Sequence, residues 1–475
     1  MKRRGKIVAT VGPASQEKKT LKDLVLAGVN VFRLNFSHGN LNDFEKIINN
    51  IREIETQIGQ SIGILGDLQG PRIRTGNLGK NGITLQPGQK IIITTKTTSN
   101  EGEIPIDFPD LPKVLKPHSR ILLDNGELEI GVDKIDKEKI HGTVLLGGKL
   151  SSNKGINLPG TRIGIPAFTQ KDRTDLAFGI KHTLDFIAVS FVHTAKDITQ
   201  VRDAIIDIDP KQKNTPIIAK LERPEALSNL DKIIDCADGV MVARGDLGVE
   251  ISPQTVPIAQ KRIIEAANRC GKIVITATQM LESMIHHPQP SRAEAADVAN
   301  AIFDGTDALM LSGETAIGNY PVRVVETMDA IIQKSEENLK YWGRWQGTPH
   351  EITADDATSI AMAARELAND RSVAAIVVFT ETGRTARLMS KAAPNAPIIG
   401  FTPNERTYRR MTLYRGVFPH RIPSANSMEE MLRNVNMATK ESTFIQTGQQ
   451  VVVITGFPVG EKRPPSLALL HTLSD

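Results

Sequence analysis

Met241-Val-Ala-Arg-Gly-Asp-Leu-Gly-Val-Glu250 follows an apolar run and closes it with an acid, and upstream Ile218-Ala-Lys-Leu-Glu222 closes a similar run with a lysine and an acid. Two short strands finishing at one end bring together Lys220, Glu222 and Asp246. Carboxylate oxygens suit a hard divalent cation, and a neighbouring ammonium suits charge developing on a transferring phosphoryl group. Taken alone, each motif reads equally well as a strand running into a surface turn.

The surroundings decide between these readings. Short β-branched runs alternate with segments of helical period, the signature of repeated β-α units around a parallel sheet. Eight such strands begin near Lys6, Asn30, Ser61, Asp185, Pro216, Gly239, Lys272 and Ala308, with amphipathic stretches at residues 41–58, 253–269 and 291–303 among them. That pattern predicts an α/β fold built on a (β/α)8 TIM barrel, in which chemistry sits on the loops after each strand.

Polar and ionisable residues recur at those strand ends. The second gives Arg33-Leu-Asn-Phe-Ser-His-Gly39, the third Asp67-Leu-Gln-Gly-Pro-Arg-Ile-Arg74 and the fourth Ser190-Phe-Val192. Lys220, Glu222 and Asp246 end the fifth and sixth; Thr276-Ala-Thr-Gln-Met280 and Ser312-Gly-Glu-Thr315 end the seventh and eighth. Singly, Ser190 or Thr276 is a turn or cap residue; the recurrence points to a functional face.

After the third strand the period switches to alternation with dense Gly and Pro, through Ile91-Ile-Ile-Thr-Thr95, Arg120 to Ile130 and Gly142-Thr-Val-Leu-Leu146. We read an inserted all-β lid placed to exclude water from the chemistry. Within it Asp124-Asn-Gly126 reads as a hairpin turn, and Lys154 as a functional residue. Past a helical segment ending near Lys340, Trp342-Gly-Arg-Trp-Gln-Gly-Thr-Pro349 reads as a linker. A compact α/β domain follows, with helices at 356–368, 384–392 and 428–440 and strands at 373–379, 398–402 and 450–455. The expected domains are 1–69 with 166–340 (barrel), 70–165 (lid) and 350–475 (C-terminal α/β regulatory domain). Thr380-Glu-Thr-Gly-Arg-Thr385 lies between a strand and a helix, where it is either a phosphate cradle or a plain helix cap; the loop Gly460-Glu-Lys-Arg463 adds charge suited to an anion.

Composition bounds the partners. A net charge of +4 over 475 residues is no basic stripe, which argues against nucleic acid. No apolar run reaches membrane-spanning length, and the basic start leads into a strand rather than a signal peptide. Cys236 and Cys270 are too few for a disulfide framework, suit a reducing cytoplasmic compartment and read as packed small hydrophobes. The His286-His287 pair diverges on any regular element and reads as surface.

With these residues on the page, the chain resembles pyruvate kinase. The resemblance is carried in order by Lys6-Ile-Val-Ala-Thr-Val-Gly-Pro13, Arg33 to Gly39, Lys154-Gly-Ile-Asn-Leu-Pro-Gly160, Met241 to Glu250, Ala277-Thr-Gln-Met-Leu-Glu-Ser-Met284 and Met310-Leu-Ser-Gly-Glu-Thr315. It implies phosphoryl transfer from phosphoenolpyruvate to ADP, giving pyruvate and ATP in glycolysis, with Mg2+ or Mn2+. Glu222 and Asp246 would hold the divalent cation, and Lys220 would stabilise the phosphoryl group. Arg33 would contact the substrate phosphate; the Gly245 and Asp246 amides and Thr278 would hold its carboxylate. Asn35, Phe36, Ser37, His38, Arg74 and Lys154 would contact the nucleotide, with Asp124 approaching the same site. Thr278, Ser312 and Glu314 would deliver the proton to the enolate.

One departure stands out. Asn35, Ser37, Asp67 and the Leu68 carbonyl match the family's K+ site, yet Arg72 stands where potassium-dependent members carry Glu. A resident guanidinium would substitute for K+, which is then weakly required or not required. Leu68 and Gln69 point to the bacterial group controlled by AMP or sugar monophosphates, making Thr382, Gly383, Arg384 and Thr385 candidate effector ligands. The chain stops soon after Leu473, without the extra phosphohistidine-like domain of some bacterial members, and the resemblance further implies a homotetramer. Two rivals share features: a magnesium-dependent lyase or aldolase acting on pyruvate enolates, which needs neither Arg33, Lys154 nor a nucleotide lid, and a non-catalytic regulatory binder, which would be expected to lose Lys220 or the metal acids.

Overall fold

The computed structural model describes residues 3–95, 102–161, 164–347, 355–440, 445–459 and 463–473. Gly460 to Lys462 of the charged loop, and Thr348 and Pro349 of the linker, lie outside the described residues.

Eight parallel strands, Lys6–Thr10, Val31–Asn35, Gly63–Asp67, Phe186–Val189, Ile217–Leu221, Gly239–Ala243, Ile273–Ala277 and Ala308–Leu311, pair in chain order and close on themselves. The second strand is buried except at Asn35, and every residue of the other seven is buried. Helices cover the outer face, which is why these strands read as apolar runs and not as alternations. Helix Leu41–Ile58 has the expected bounds: Asn40 accepts from the Asp43 amide at its start and Gly59, at φ 68°, turns the chain out at its end. Helix Arg292–Asp304 starts at a capping box of Ser291 and Glu294. The stretch 253–269 is not one helix but a 3-10 turn, Pro253–Thr255, followed by Val256–Arg269, since Pro253 and Pro257 each lack an amide to continue a ladder.

Between the third strand and helix Gln170–Lys181 lies the inserted module, a six-stranded sheet and a two-stranded ribbon around their own core of residues such as Ile93, Leu123, Ile130 and Leu158. Asp124, Asn125 and Gly126 all have positive φ, as the hairpin reading requires.

The C-terminal domain carries a five-stranded sheet in the order Val417–Arg421, Ile398–Thr402, Ala375–Phe379, Gln450–Thr455, Leu467–Thr472, the last antiparallel. Helix Asp356–Arg371 runs three residues past the expected Ala368, and the helix Glu405–Arg410 and strands Val417–Arg421 and Leu467–Thr472 were not evident as periodic runs. This domain packs on the N-terminal end of the barrel. Met411, Leu413 and Val417 share one apolar cluster with Val8, Val31, Leu65 and Phe186, so the floor of the barrel and the domain form a single core. Lys391 and Asp307, each 3% exposed, form a buried ion pair across the junction at 2.5 Å.

Cys236 and Cys270 are exposed, contrary to the packed reading. Each stands at a helix C-terminus, where the chain turns out to solvent. His286 and His287 are exposed, as read.

Candidate active site at the C-terminal end of the barrel

Strand ends converge on one ammonium. Lys220, 9% exposed, donates to the Ser190 hydroxyl at 2.7 Å and lies 3.0 Å from Glu222 Oε1 and 3.3 Å from Asp67 Oδ1. Burial pulls its pKa down, but Asp67 and Glu222 outweigh this and the group stays cationic. Asp67 reaches across to Arg33, whose Nε donates to Oδ2 at 2.7 Å while Nη1 donates to the Thr10 hydroxyl at 3.0 Å. The Asp67 carboxyl is pushed up by burial, yet Lys220 and Arg33 hold it below the usual range.

Glu222 is 1% exposed. Burial pushes its carboxyl up, Lys220 opposes this, and the neighbouring Asp246 charge adds to the rise. Two acids that repel each other at the edge of a cavity are a fit for a divalent cation. Among the described residues no cluster of three or more His, Cys, Asp or Glu forms a full cage. A hard ion that keeps water and substrate oxygens in its shell needs only two protein carboxylates.

One cavity is lined by Arg33, Asn35, Ser37, Gln69, Arg72 and Ser190 on one side, and by Lys220, Glu222, Asp246, Thr278 and Ser312 on the other. Thr278, at φ 67°, and Gln279, at φ 54°, are both in the left-handed region, which for a β-branched residue marks strain at a site. The Thr278 hydroxyl accepts the Gly245 amide at 2.7 Å, so that amide is already engaged. The Ser312 hydroxyl oxygen is buried without a hydrogen-bond partner among the described residues. Glu314 is absent from the cavity lining: its carboxylate accepts the Ser312 and Leu281 amides at 2.7 and 3.2 Å, tying the seventh and eighth strand ends together.

The nucleotide candidates divide. Asn35 and Ser37 line this cavity, whereas Phe36 is buried with its carbonyl accepting from Lys171 at 2.7 Å. His38 is exposed over much of its surface, yet its ring is partly desolvated, and this first, then Arg72, Arg74 and Arg33, pull its pKa below the ordinary value. Arg74 donates to the Asn153 carbonyl at 2.8 Å, and Lys154 pairs with Asp124 at 2.6 Å within the insert. Of the monovalent-cation candidates, the Leu68 carbonyl accepts the Ser190 hydroxyl at 2.8 Å, and Arg72 is exposed at the cavity wall.

Two positioning groups, Arg244 and Glu250, escaped the sequence reading, and a third, Ser190, stood there only as a strand-end residue. Buried Arg244 donates to the Thr278 carbonyl at 2.7 Å and the Gln279 carbonyl at 3.1 Å, and pairs with Asp297 at 2.6 Å. Glu250 joins Arg223 to Asn157 of the insert. Ser190 bridges Lys220 to the Leu68 carbonyl. Arg244 and Glu250 lie inside the stretch quoted at the outset, but nothing in the sequence marks which of its charged residues are buried.

In the C-terminal domain a second cavity, ≈440 Å³, is lined by Thr380, Thr382, Arg384, Thr385, Phe401 and Arg463 among others. Gly383 does not line it; its amide donates to the Thr380 hydroxyl at 2.9 Å. Arg384 pairs with Asp355 at 2.8 Å.

Comparison with known proteins agrees with this layout. The family model described as pyruvate kinase, barrel domain, matches residues 2–325, and the pyruvate kinase, alpha/beta domain model matches 358–468. A protein named pyruvate kinase from Geobacillus stearothermophilus is 43% identical over the whole of this chain, which spans 81% of that relative. One of the same name from Agrobacterium vitis is 42% identical over 96% of this chain and 95% of its own length.

Proposed function

Because the chain belongs to the pyruvate kinase family, we propose that its phosphotransfer runs at the Lys220, Glu222 and Asp246 centre. The enzyme is a phosphotransferase that moves the phosphoryl group of phosphoenolpyruvate to ADP, giving pyruvate and ATP. The observation that carries the assignment is the Lys220 ammonium, held between Asp67 and Glu222 at the rim of a cavity that Asp246 also lines.

Glu222 and Asp246 are the residues to hold Mg2+ or Mn2+, which when bound supplies a Lewis acid for phosphoryl and enolate oxygens. Arg33, braced by Asp67 and Thr10, directs its remaining N–H groups to the substrate phosphate. Lys220 faces the charge spread over the transferring group. The substrate carboxylate takes the Asp246 amide, and also the Gly245 amide by displacing the Thr278 hydroxyl from it. Once the phosphoryl group has left, the enolate carbon needs a proton; Thr278 and Ser312 are the hydroxyls at hand, and Glu314 acts by fixing the Ser312 backbone. Asn35, Ser37, His38, Arg74 and Lys154 serve the nucleotide phosphates, while Phe36, its amide on the Asp67 carbonyl and its own carbonyl on Lys171, fixes the turn that presents them.

The family uses a monovalent cation as well as Mg2+. Here Arg72 shares a cavity with Asn35 and Ser37 and supplies that charge, so K+ is dispensable. The 440 Å³ cavity, with Thr382, Arg384 and Thr385 on its wall and Gly383 turning the loop, takes a sugar monophosphate or AMP as an effector. The working assembly is a cytoplasmic homotetramer; among the described residues no helix is long and apolar enough to cross a membrane.

The test is steady-state pyruvate formation from phosphoenolpyruvate and ADP at fixed Mg2+, in parent and Lys220→Met chains. Loss of kcat by roughly 10³-fold in the variant, with the fold retained, is expected; an unchanged kcat removes the assignment.

A further inference from the structure

Beneath the barrel, helix Ala195–Ile208 and the segment 209–216 face helices Arg384–Lys391 and Glu405–Arg410 of the C-terminal domain across a cavity of ≈800 Å³. Among the described residues, seven cationic side chains line it against two acids, Asp238 and Glu381. Asp238 is taken by Arg202, and Arg384 pairs with Asp355 at 2.8 Å. The other five cations, Lys211, Lys213, Arg387, Arg406 and Arg410, make no ion pair with a carboxylate among the described residues. The Nε atoms of Arg387 and Arg410 are buried with no hydrogen-bond partner among the described residues. Arg410 spends its other nitrogens on the Asn214 carbonyl at 3.0 Å and the Thr215 hydroxyl at 3.4 Å, which already ties the two domains together.

Burying guanidinium donors without acceptors, among like charges, is costly unless an anion completes them. We propose that this cleft binds a small organic phosphate with at least two negative charges, at a site separate from the active centre and from the 440 Å³ cavity. A concave space of this volume, closed on two sides by different domains, suits a metabolite. It does not suit the open track that a nucleic acid requires. Glu381, Thr382 and Arg384 line both this cleft and the neighbouring cavity, so a ligand here draws the C-terminal domain onto the barrel and bears on the same loop. The proposal does not depend on what the neighbouring cavity binds.

The experiment is calorimetric titration of the full chain with inorganic pyrophosphate and, separately, glycerol 3-phosphate, without divalent metal. The two probes distinguish a bare polyphosphate from a phosphate ester. Arg387→Gln and Arg410→Gln are each expected to raise Kd about ten-fold or more, while Arg387→Lys recovers part of that loss and Thr385→Val, on the neighbouring cavity alone, leaves Kd unchanged. The proposal is overturned if the parent binds neither probe, or if the glutamine variants bind like the parent. It is equally overturned if Thr385→Val loses binding as they do.

Discussion

The Arg244 guanidinium holds the main-chain carbonyl of Thr278 at 2.7 Å, and does so where Thr278 is in the left-handed region. A β-branched residue resists that conformation, so an outside clamp must keep it there. Arg244 is anchored in turn by Asp297 and reaches the Gln279 carbonyl with the same fork.

Arg244→Gln therefore releases Thr278 and should lower kcat roughly 10- to 100-fold. Arg244→Lys, which keeps the charge but not the fork, should recover only part of the loss. Steady-state kinetics on both variants check this. A residue of purely structural value would lower the amount of folded enzyme and leave kcat per folded site alone, and that result would remove Arg244 from the positioning role.

Lys154 and Asp124 neutralise each other at 2.6 Å on the insert, so an incoming nucleotide phosphate competes with a carboxylate for the same ammonium. Asp124→Asn is expected to lower the KM for ADP up to about five-fold at low salt, with the gain fading at high ionic strength because the pair is partly exposed. Initial-rate measurements at two salt concentrations decide it; a raised KM would mean that Asp124 itself helps to hold the nucleotide.

Arg72 stands at the wall of the cavity that holds Asn35 and Ser37. Replacing K+ with a bulky inert cation should change the parent's rate by less than about two-fold, while Arg72→Glu should lose about ten-fold or more and regain it on adding K+. A steep, saturable K+ activation of the parent that Arg72→Glu leaves unaltered would sink the idea.

The barrel was legible because its strands are buried on both faces and its helices on one, which writes two different periods into the chain; each strand starts within two residues of its expected position. Strand ends also revealed Arg33, Lys220, Glu222, Asp246, Thr278 and Ser312, which line one cavity. What stayed hidden was pairing. Glu314 looks like Glu222 in sequence, yet its oxygens are spent on two backbone amides, and Lys154 looks free but meets Asp124. The strands Val417–Arg421 and Leu467–Thr472 lie at the sheet edges, half-exposed over most of their length, so neither a full apolar run nor a clean alternation marks them.

Lys6 opens the first barrel strand, and its ammonium donates to the Val417 carbonyl at 2.7 Å and stands 5.0 Å over the Phe418 ring, so it stitches the barrel floor to the C-terminal domain. Full burial, with Arg3 adding to it and Glu336 opposing, depresses its pKa from 10.5 to about 7. The unfolded chain then binds the proton more tightly than the folded one, so the contribution to stability is whole above 10.5 and is lost as pH falls towards about 7. The slope within that window is about 1.4 kcal/mol per pH unit. Lys6→Met carries no such dependence. The gain in thermal stability of Lys6→Met over the parent should therefore widen from pH 9 to pH 7, by ~3 kcal/mol in all, and stay level below pH 7. Parallel melting profiles from pH 9 to pH 6 would show that the Val417 carbonyl and the Phe418 ring keep Lys6 charged throughout.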